Sequence, residues 1–193
     1  VGDRLARKAL RNAGFTNVLS VPEQAEPDGE FPTVRFPNPE EKGAMDLAFA
    51  LARKEKAALV LANDPDADRL AAAIPDASQS SGYMQFTGNQ VGVLLGHHLL
   101  TRGDTSGARV TIASLVSSPM LGVMAKKLGV RYEETLTGFK WIANRAMELA
   151  ASSGERFVFG YEEALGYTVG ELVRDKDGIS AAVALAEQAA LLA

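Results

Sequence analysis

The chain has 193 residues, 47% of them hydrophobic and 23% charged, which is enough apolar surface for packed cores and lacks the bias of a disordered or collagen-like chain. Its formal net charge of −4 argues against a general nucleic-acid surface, which needs a clustered basic face. The absence of cysteine excludes disulfides, thiolate catalysis and thiolate zinc sites.

The length suits two domains of about 100 residues each. No stretch approaches the roughly 20 apolar residues of a membrane-spanning helix, and no signal-peptide pattern opens the chain, so neither membrane nor nucleic acid is an expected partner and a cytoplasmic location is expected. Leu5, Ala6, Ala9, Leu10 and Ala13 recur at helical spacing up to Gly14, a C-terminal cap, and Val18-Leu19-Ser20-Val21 reads as a short strand. This is an αβ unit without its first strand, and it reads as the start of a segment cut from a larger protein. Residues 22–38 carry four prolines without periodicity, the mark of a long ordered or functional loop. Pro39-Glu40-Glu41 places proline and acids where a first helical turn favours them, predicting a helix to about residue 56. Residues 57–62 form an apolar run suited to a strand buried on both faces of a parallel sheet, and residues 70–74 form a further strand.

Thr87 can N-cap a helix over 88–100, and the Gly-, Thr- and Ser-rich residues 101–108 read as a linker. The pattern then restarts, with strands over 109–115, 130–133 and 157–161 and helices over 119–128, 138–151 and from Gly178. Alternation of β and α at this spacing predicts an α/β protein of two doubly wound domains with mainly parallel sheets, divided as 1–104 and 105–193.

The run Asp64-Pro65-Asp66-Ala67-Asp68-Arg69 carries most of the chemistry. Three carboxylates within five residues repel one another, so a fold that gathers them needs a compensating charge, and a hard divalent cation with oxygen ligands supplies it. An EF-hand loop would place Gly at its sixth position and Glu at its twelfth, where this chain has Arg69 and Pro75. An aspartyl-nucleophile phosphatase and a merely solvated acidic turn stand as alternatives. Glu162 and Glu163 follow another buried strand, where they could accept hydrogen bonds from sugar hydroxyls or simply face water. Lys176, between Asp175 and Asp177, could meet a phosphate, transfer a proton, or only enter a helix by way of a salt bridge. Thr137-Gly138-Phe139-Lys140 sits at a strand-to-helix junction, which favours anions, though an ordinary N-cap explains Thr137 as well. His97 and His98 read as structural, and Trp141 as a core residue.

In order along the chain, Asp64-Pro65-Asp66-Ala67-Asp68-Arg69, Thr87-Gly88-Asn89-Gln90, Val116-Ser117-Ser118-Pro119-Met120, Thr137-Gly138-Phe139-Lys140, Glu162-Glu163-Ala164-Leu165-Gly166 and Asp175-Lys176-Asp177-Gly178 resemble the α-D-phosphohexomutases, the phosphoglucomutases and phosphomannomutases. The wording Tyr161-Glu162-Glu163-Ala164-Leu165-Gly166-Tyr167 is most similar to the branch of phosphoglucomutase 2-like and phosphopentomutase homologues. The resemblance implies a four-domain enzyme that moves phosphate between the 1-position and the terminal hydroxyl of a sugar through a bisphosphate intermediate. It implies Mg²⁺ on Asp64, Asp66 and Asp68, and a domain 1 phosphoserine as phosphoryl carrier. Arg69 would steady the phosphoryl group and Lys176 would act as general acid or base or as a phosphate contact. Thr137, Gly138, Lys140, Glu162, Glu163 and Ala164 would face the sugar phosphate. Two departures stand out: Ala164 replaces the family's frequent Ser and so removes a hydroxyl contact, and no Ser-His-Asn-Pro-like loop or C-terminal phosphate-binding domain is present. The chain is therefore expected to be domains 2 and 3, inactive without domains 1 and 4. A non-catalytic sugar-phosphate or metal-binding module is the alternative.

Overall fold

The computed structural model describes residues 1–192. In chain order the elements are α1 (Asp3–Asn12), α2 (Pro22–Ala25), α3 (Asp46–Glu55), β1 (Val60–Asn63), β2 (Leu70–Pro75), β3 (Tyr83–Gln85), α4 (Gly88–Arg102), β4 (Arg109–Ser114), α5 (Met120–Lys127), β5 (Arg131–Thr135), α6 (Phe139–Ser153), β6 (Arg156–Glu162), β7 (Gly166–Val169) and α7 (Gly178–Leu192). The α/β class is as expected. No described helix is long and apolar enough to cross a membrane.

The strands form two sheets, ordered β1-β2-β3 and β5-β4-β6-β7. In the second, β4 pairs parallel with both β5 and β6, and β7 adds an antiparallel edge. The first sheet corrects the expectation of parallel pairing, because β1-β2 and β2-β3 are both antiparallel, with Asn63 opposite Leu70 and Ile74 opposite Met84. Residues 64–69 are too few for the crossover that parallel neighbours require, so the acidic loop has to be a hairpin connection.

Three further differences have local causes. Residues 18–21 are irregular, since a β-favouring segment becomes a strand only where a sheet edge accepts it, and α2 follows with Pro22 in its first turn. Residues 39–45 form turns, and α3 starts only at Asp46; Gly43, at φ +88, cannot sit in a right-handed helix. Strands β3 and β7 are too short, at 3 and 4 residues, to show a periodicity in sequence.

Helix α4 opens on the expected Thr87 cap, which is a full capping box with Gln90. It packs chiefly on β6, α7 and α5. It also touches β2, and α7 packs on β7, β2 and β1, so α4 sits where the two sheets meet. Close approach is possible because Gly92 faces the sheet and Gly96 faces α5: a Cβ at Gly92 would stand 2.3 Å from the Tyr161 ring of β6, and one at Gly96 2.5 Å from Leu121 of α5. Beneath the helix, Phe159, Tyr161 and Tyr167 stack in sequence, with ring centroids 6.0 and 6.4 Å apart. One buried cluster runs from α3 and the first sheet through α4 to β6, β7 and α7. A smaller one, with Val110, Ile112, Phe139, Ile142 and Phe157, fills the space between the second sheet and α6. The alternation along β4, with Val110 and Ile112 toward α6 and Ala113 toward the larger cluster, covers this sheet on both faces.

Candidate active site

The acidic loop is held from several sides. Asn63 Nδ2 donates to the Arg69 carbonyl at 2.7 Å, closing the hairpin, and Ala67 takes a left-handed φ of +63° at its tip. The first residue of α7 presses against the loop: Gly178 N donates to the Ala67 carbonyl at 3.1 Å, and a Cβ there would meet the Arg69 carbonyl at 2.4 Å. Across the loop, Leu70 N donates to the Leu165 carbonyl at 3.0 Å, and Arg69 bridges to Gly166. The acidic loop and the β6–β7 turn, nearly a hundred residues apart in sequence, are thus in direct backbone contact.

Within this frame Asp64, Asp66 and Asp68 can each offer a carboxylate oxygen within 4.8 Å of the others. The Asp64 side chain is only 3% exposed and accepts from the Arg69 backbone N at 3.1 Å and from Arg69 Nε at 2.7 Å. Burial pushes its carboxyl upward, but these bonds and the adjacent guanidinium charge outweigh it and hold the group below the usual carboxylate range. Asp68 goes the other way: burial, together with the charges of Asp64 and Asp66, raises it despite a 2.9 Å ion pair with Lys176. Burial works against the Lys176 charge, yet Asp68, Asp175 and Glu162 keep the ammonium favoured. Asp66 is exposed and makes no ion pair among the described residues.

Glu162, 8% exposed, closes the opposite wall. One of its oxygens accepts from Gly138 N at the start of α6, so the N–H expected to greet an anion is already occupied by a carboxylate. Lys176 comes in from the segment after β7, its stem crossing Gly166, where a Cβ would stand 2.6 Å from Lys176 Cδ. These side chains, with Ala164, Pro65, Phe36 and Pro37, line one open cleft of about 640 Å³.

The structure therefore brings Asp64, Asp66, Asp68, Arg69, Glu162, Ala164 and Lys176 together, with Gly138 bonded to Glu162 from behind. Thr137, Lys140 and Glu163 do not line this cleft. Thr137 and Lys140 are exposed, and Lys140 Nζ lies 5.5 Å from the centroid of the Trp141 ring, which is itself 45% exposed and so not the core residue expected. Glu163 turns toward β4, where its carboxylate accepts from Ser114 and Ser117. His98 is structural as expected, buried on α4 and 3.2 Å from Glu187 of α7. Sequence reasoning missed Phe36, Pro37 and Asn38, whose Oδ1 lies 3.5 Å from Arg69 Nη1. Their only signal was the proline content of the loop that carries them.

A metal fits the donor set. All three ligands are hard oxygens, as Mg²⁺, Ca²⁺ and Mn²⁺ require, and Arg69 and Lys176 offset two of the three negative charges while the outermost carboxylate stays open to solvent.

A parallel three-strand core with an antiparallel edge and helices on both faces defines an α/β/α protein, with an acidic cleft beside the carboxyl end of β6. The chain belongs to the phosphoglucomutase/phosphomannomutase family: its alpha/beta/alpha domain II matches residues 1–77 and domain III residues 87–191. It is 48% identical over 201 residues to the human phosphopentomutase, covering all of this chain and 32% of that protein. It is 50% identical over 185 residues to a probable phosphomannomutase of Haemophilus influenzae, covering 95% of this chain and 36% of the relative. The chain thus spans about a third of the length of these curated relatives, which are named mutases. A phosphoglucomutase/phosphomannomutase family protein of Burkholderia thailandensis shares the fold, with a TM-score of 0.73 at 19% identity over all of this chain and 40% of that one.

Proposed function

We propose that this chain supplies the metal-binding and sugar-binding loops of a Mg²⁺-dependent sugar-phosphate mutase, which moves phosphate between the 1-position and the terminal hydroxyl of its substrate. The observation that carries this reading is the convergence of three aspartates, Arg69, Glu162 and Lys176 on one cleft. Asp64, Asp66 and Asp68 would hold the cation, which when bound offsets negative charge on a transferring phosphoryl group. Arg69 keeps its Nε on Asp64 and lines the cleft, where the rest of its fork would steady phosphoryl oxygens. Glu162 has one oxygen engaged by Gly138 and the other available to a sugar hydroxyl. Lys176, an ammonium among carboxylates, would contact phosphate or pass a proton to an oxygen. Thr137, on the loop that Gly138 ties to Glu162, and Lys140, in the first turn of α6, lie outside the cleft and would bound the sugar from the side.

The phosphoryl carrier, a phosphoserine, and the second phosphate grip would come from domains 1 and 4 of the same protein, with a sugar bisphosphate as intermediate and activator. The relatives' names make a pentose phosphate the first substrate to try. A coupled assay with ribose 1-phosphate, glucose 1-phosphate or mannose 1-phosphate and the matching bisphosphate tests this. The full protein is expected to turn over at least one of them and the 193-residue chain none; turnover by the pure chain would refute the division of labour.

A further inference from the structure

The structure assigns Glu163 to anchoring the loop that aims Glu162, rather than to touching the ligand. The assignment rests on reading the cleft as a sugar-phosphate site. In the second sheet, chain connections diverge from β4: the crossover through α5 leads to β5 on one side, and β6 lies on the other. The carboxyl ends of β4 and β6 therefore flank the position where open α/β sheets leave a crevice for ligands. Here the chain fills that crevice itself. Glu163 Oε2 accepts from Ser114 Oγ at 3.1 Å and from Ser117 Oγ at 3.2 Å, and the two hydroxyls are 2.7 Å apart. The backbone N of Glu163 also donates to Ser117 Oγ at 3.2 Å.

The other face of the same peptide is fixed by α4. A Cβ at Gly88 would overlap the Glu163 carbonyl oxygen and lie 3.1 Å from Leu165 N, so the first residue of the helix rests on the turn backbone. Asn89 continues the clamp, its Oδ1 accepting from Ser118 N at 2.7 Å and from the Tyr161 hydroxyl at 3.2 Å. Beyond Glu163, Leu165 adopts φ +64°, unfavourable for a leucine without support, and is 1% exposed. The turn is thus pinned at Glu163 on one side and at the acidic loop, through Leu70 and Arg69, on the other. Glu162 immediately precedes the pinned turn and pairs across it with Gly166, so the anchor sets where its carboxylate sits.

The test uses Ser114→Ala with Ser117→Ala, Glu163→Ala, the triple combination, and Ser117→Thr as the conservative control. In the ligand-free chain, amide exchange at Gly138 and across 163–165 is expected to quicken about tenfold in the first two, to gain nothing more in the triple, and to stay at the parental rate in Ser117→Thr. Mn²⁺ affinity should be unchanged in all of them. In the full protein the substrate KM should rise with kcat retained, again without additivity. Unaltered exchange would overturn the anchoring role. So would a Glu163→Ala loss as large without the serines as with them, which is the behaviour of a direct ligand contact. If the full parent protein lacks mutase activity, the functional reading falls, whereas the exchange result by itself decides whether Glu163 anchors the turn.

Discussion

Asp66 differs from its two neighbours in having no cation to answer its charge among the described residues, while Asp64 is held by Arg69 and Asp68 by Lys176. Two consequences follow from that asymmetry. Asp66→Ala should weaken Mn²⁺ binding at least about tenfold by titration calorimetry, equivalent to about 1.4 kcal/mol. The same variant should melt no lower than the parent in chelator, because it removes a like charge that opposes ionisation of Asp68 and breaks no bond. A drop in chelator would show that Asp66 has a structural partner. At this scale much was legible: the triplet and Arg69 are neighbours in sequence, so their shared chemistry could be read directly. Which oxygens Arg69 takes, and that Glu163 points away from the cleft, depends on where β4 and β6 end.

The alternation of β4, α5, β5, α6 and β6 was legible because each element is long enough to show its period. The pairing of β1 with β2 is decided by the short loop between them, and β3 and β7 exist only because an edge accepted them. Helix α4 offers a sharp test. Gly92→Ala would gain about 0.8–1.0 kcal/mol of helix propensity in isolation, but its Cβ would enter the Tyr161 ring, and overpacking typically costs about 1–3 kcal/mol. Net destabilisation is expected in urea titration, and a stabilised variant would mean that α4 stands further from the sheet. The β5–α6 contact offers another. Glu133 lies 2.6 Å from Arg131 and 3.0 Å from Arg145, and although burial opposes it, these guanidinium groups hold its carboxyl below the usual range. A depressed folded value stabilises above the unfolded one and fades as pH falls through the folded one. Glu133→Gln should therefore cost up to about 1 kcal/mol at pH 7, with parent and variant converging at strongly acid pH.

At the scale of the molecule, one apolar cluster joins the first sheet to the second through α4 and α7. We expect a single unfolding transition by calorimetry, with Leu70→Ala in the first sheet and Ile112→Ala in the second each lowering the whole of it by about 2–5 kcal/mol. Two separated transitions would show that the sheets fold independently. The sequence by itself determined the α/β class, the order of most elements and the crowding of three carboxylates and a guanidinium into residues 64–69, since these depend on local periodicity, chain spacing and adjacent charges. Only the tertiary structure decided the antiparallel first sheet, the packing of α4 against the second sheet, and the arrival of Lys176 and Glu162 at the aspartates. The last of these joins residues about a hundred positions apart, brought together by the packing of the β6–β7 turn and the start of α7 on the acidic loop, with glycines that let backbones touch.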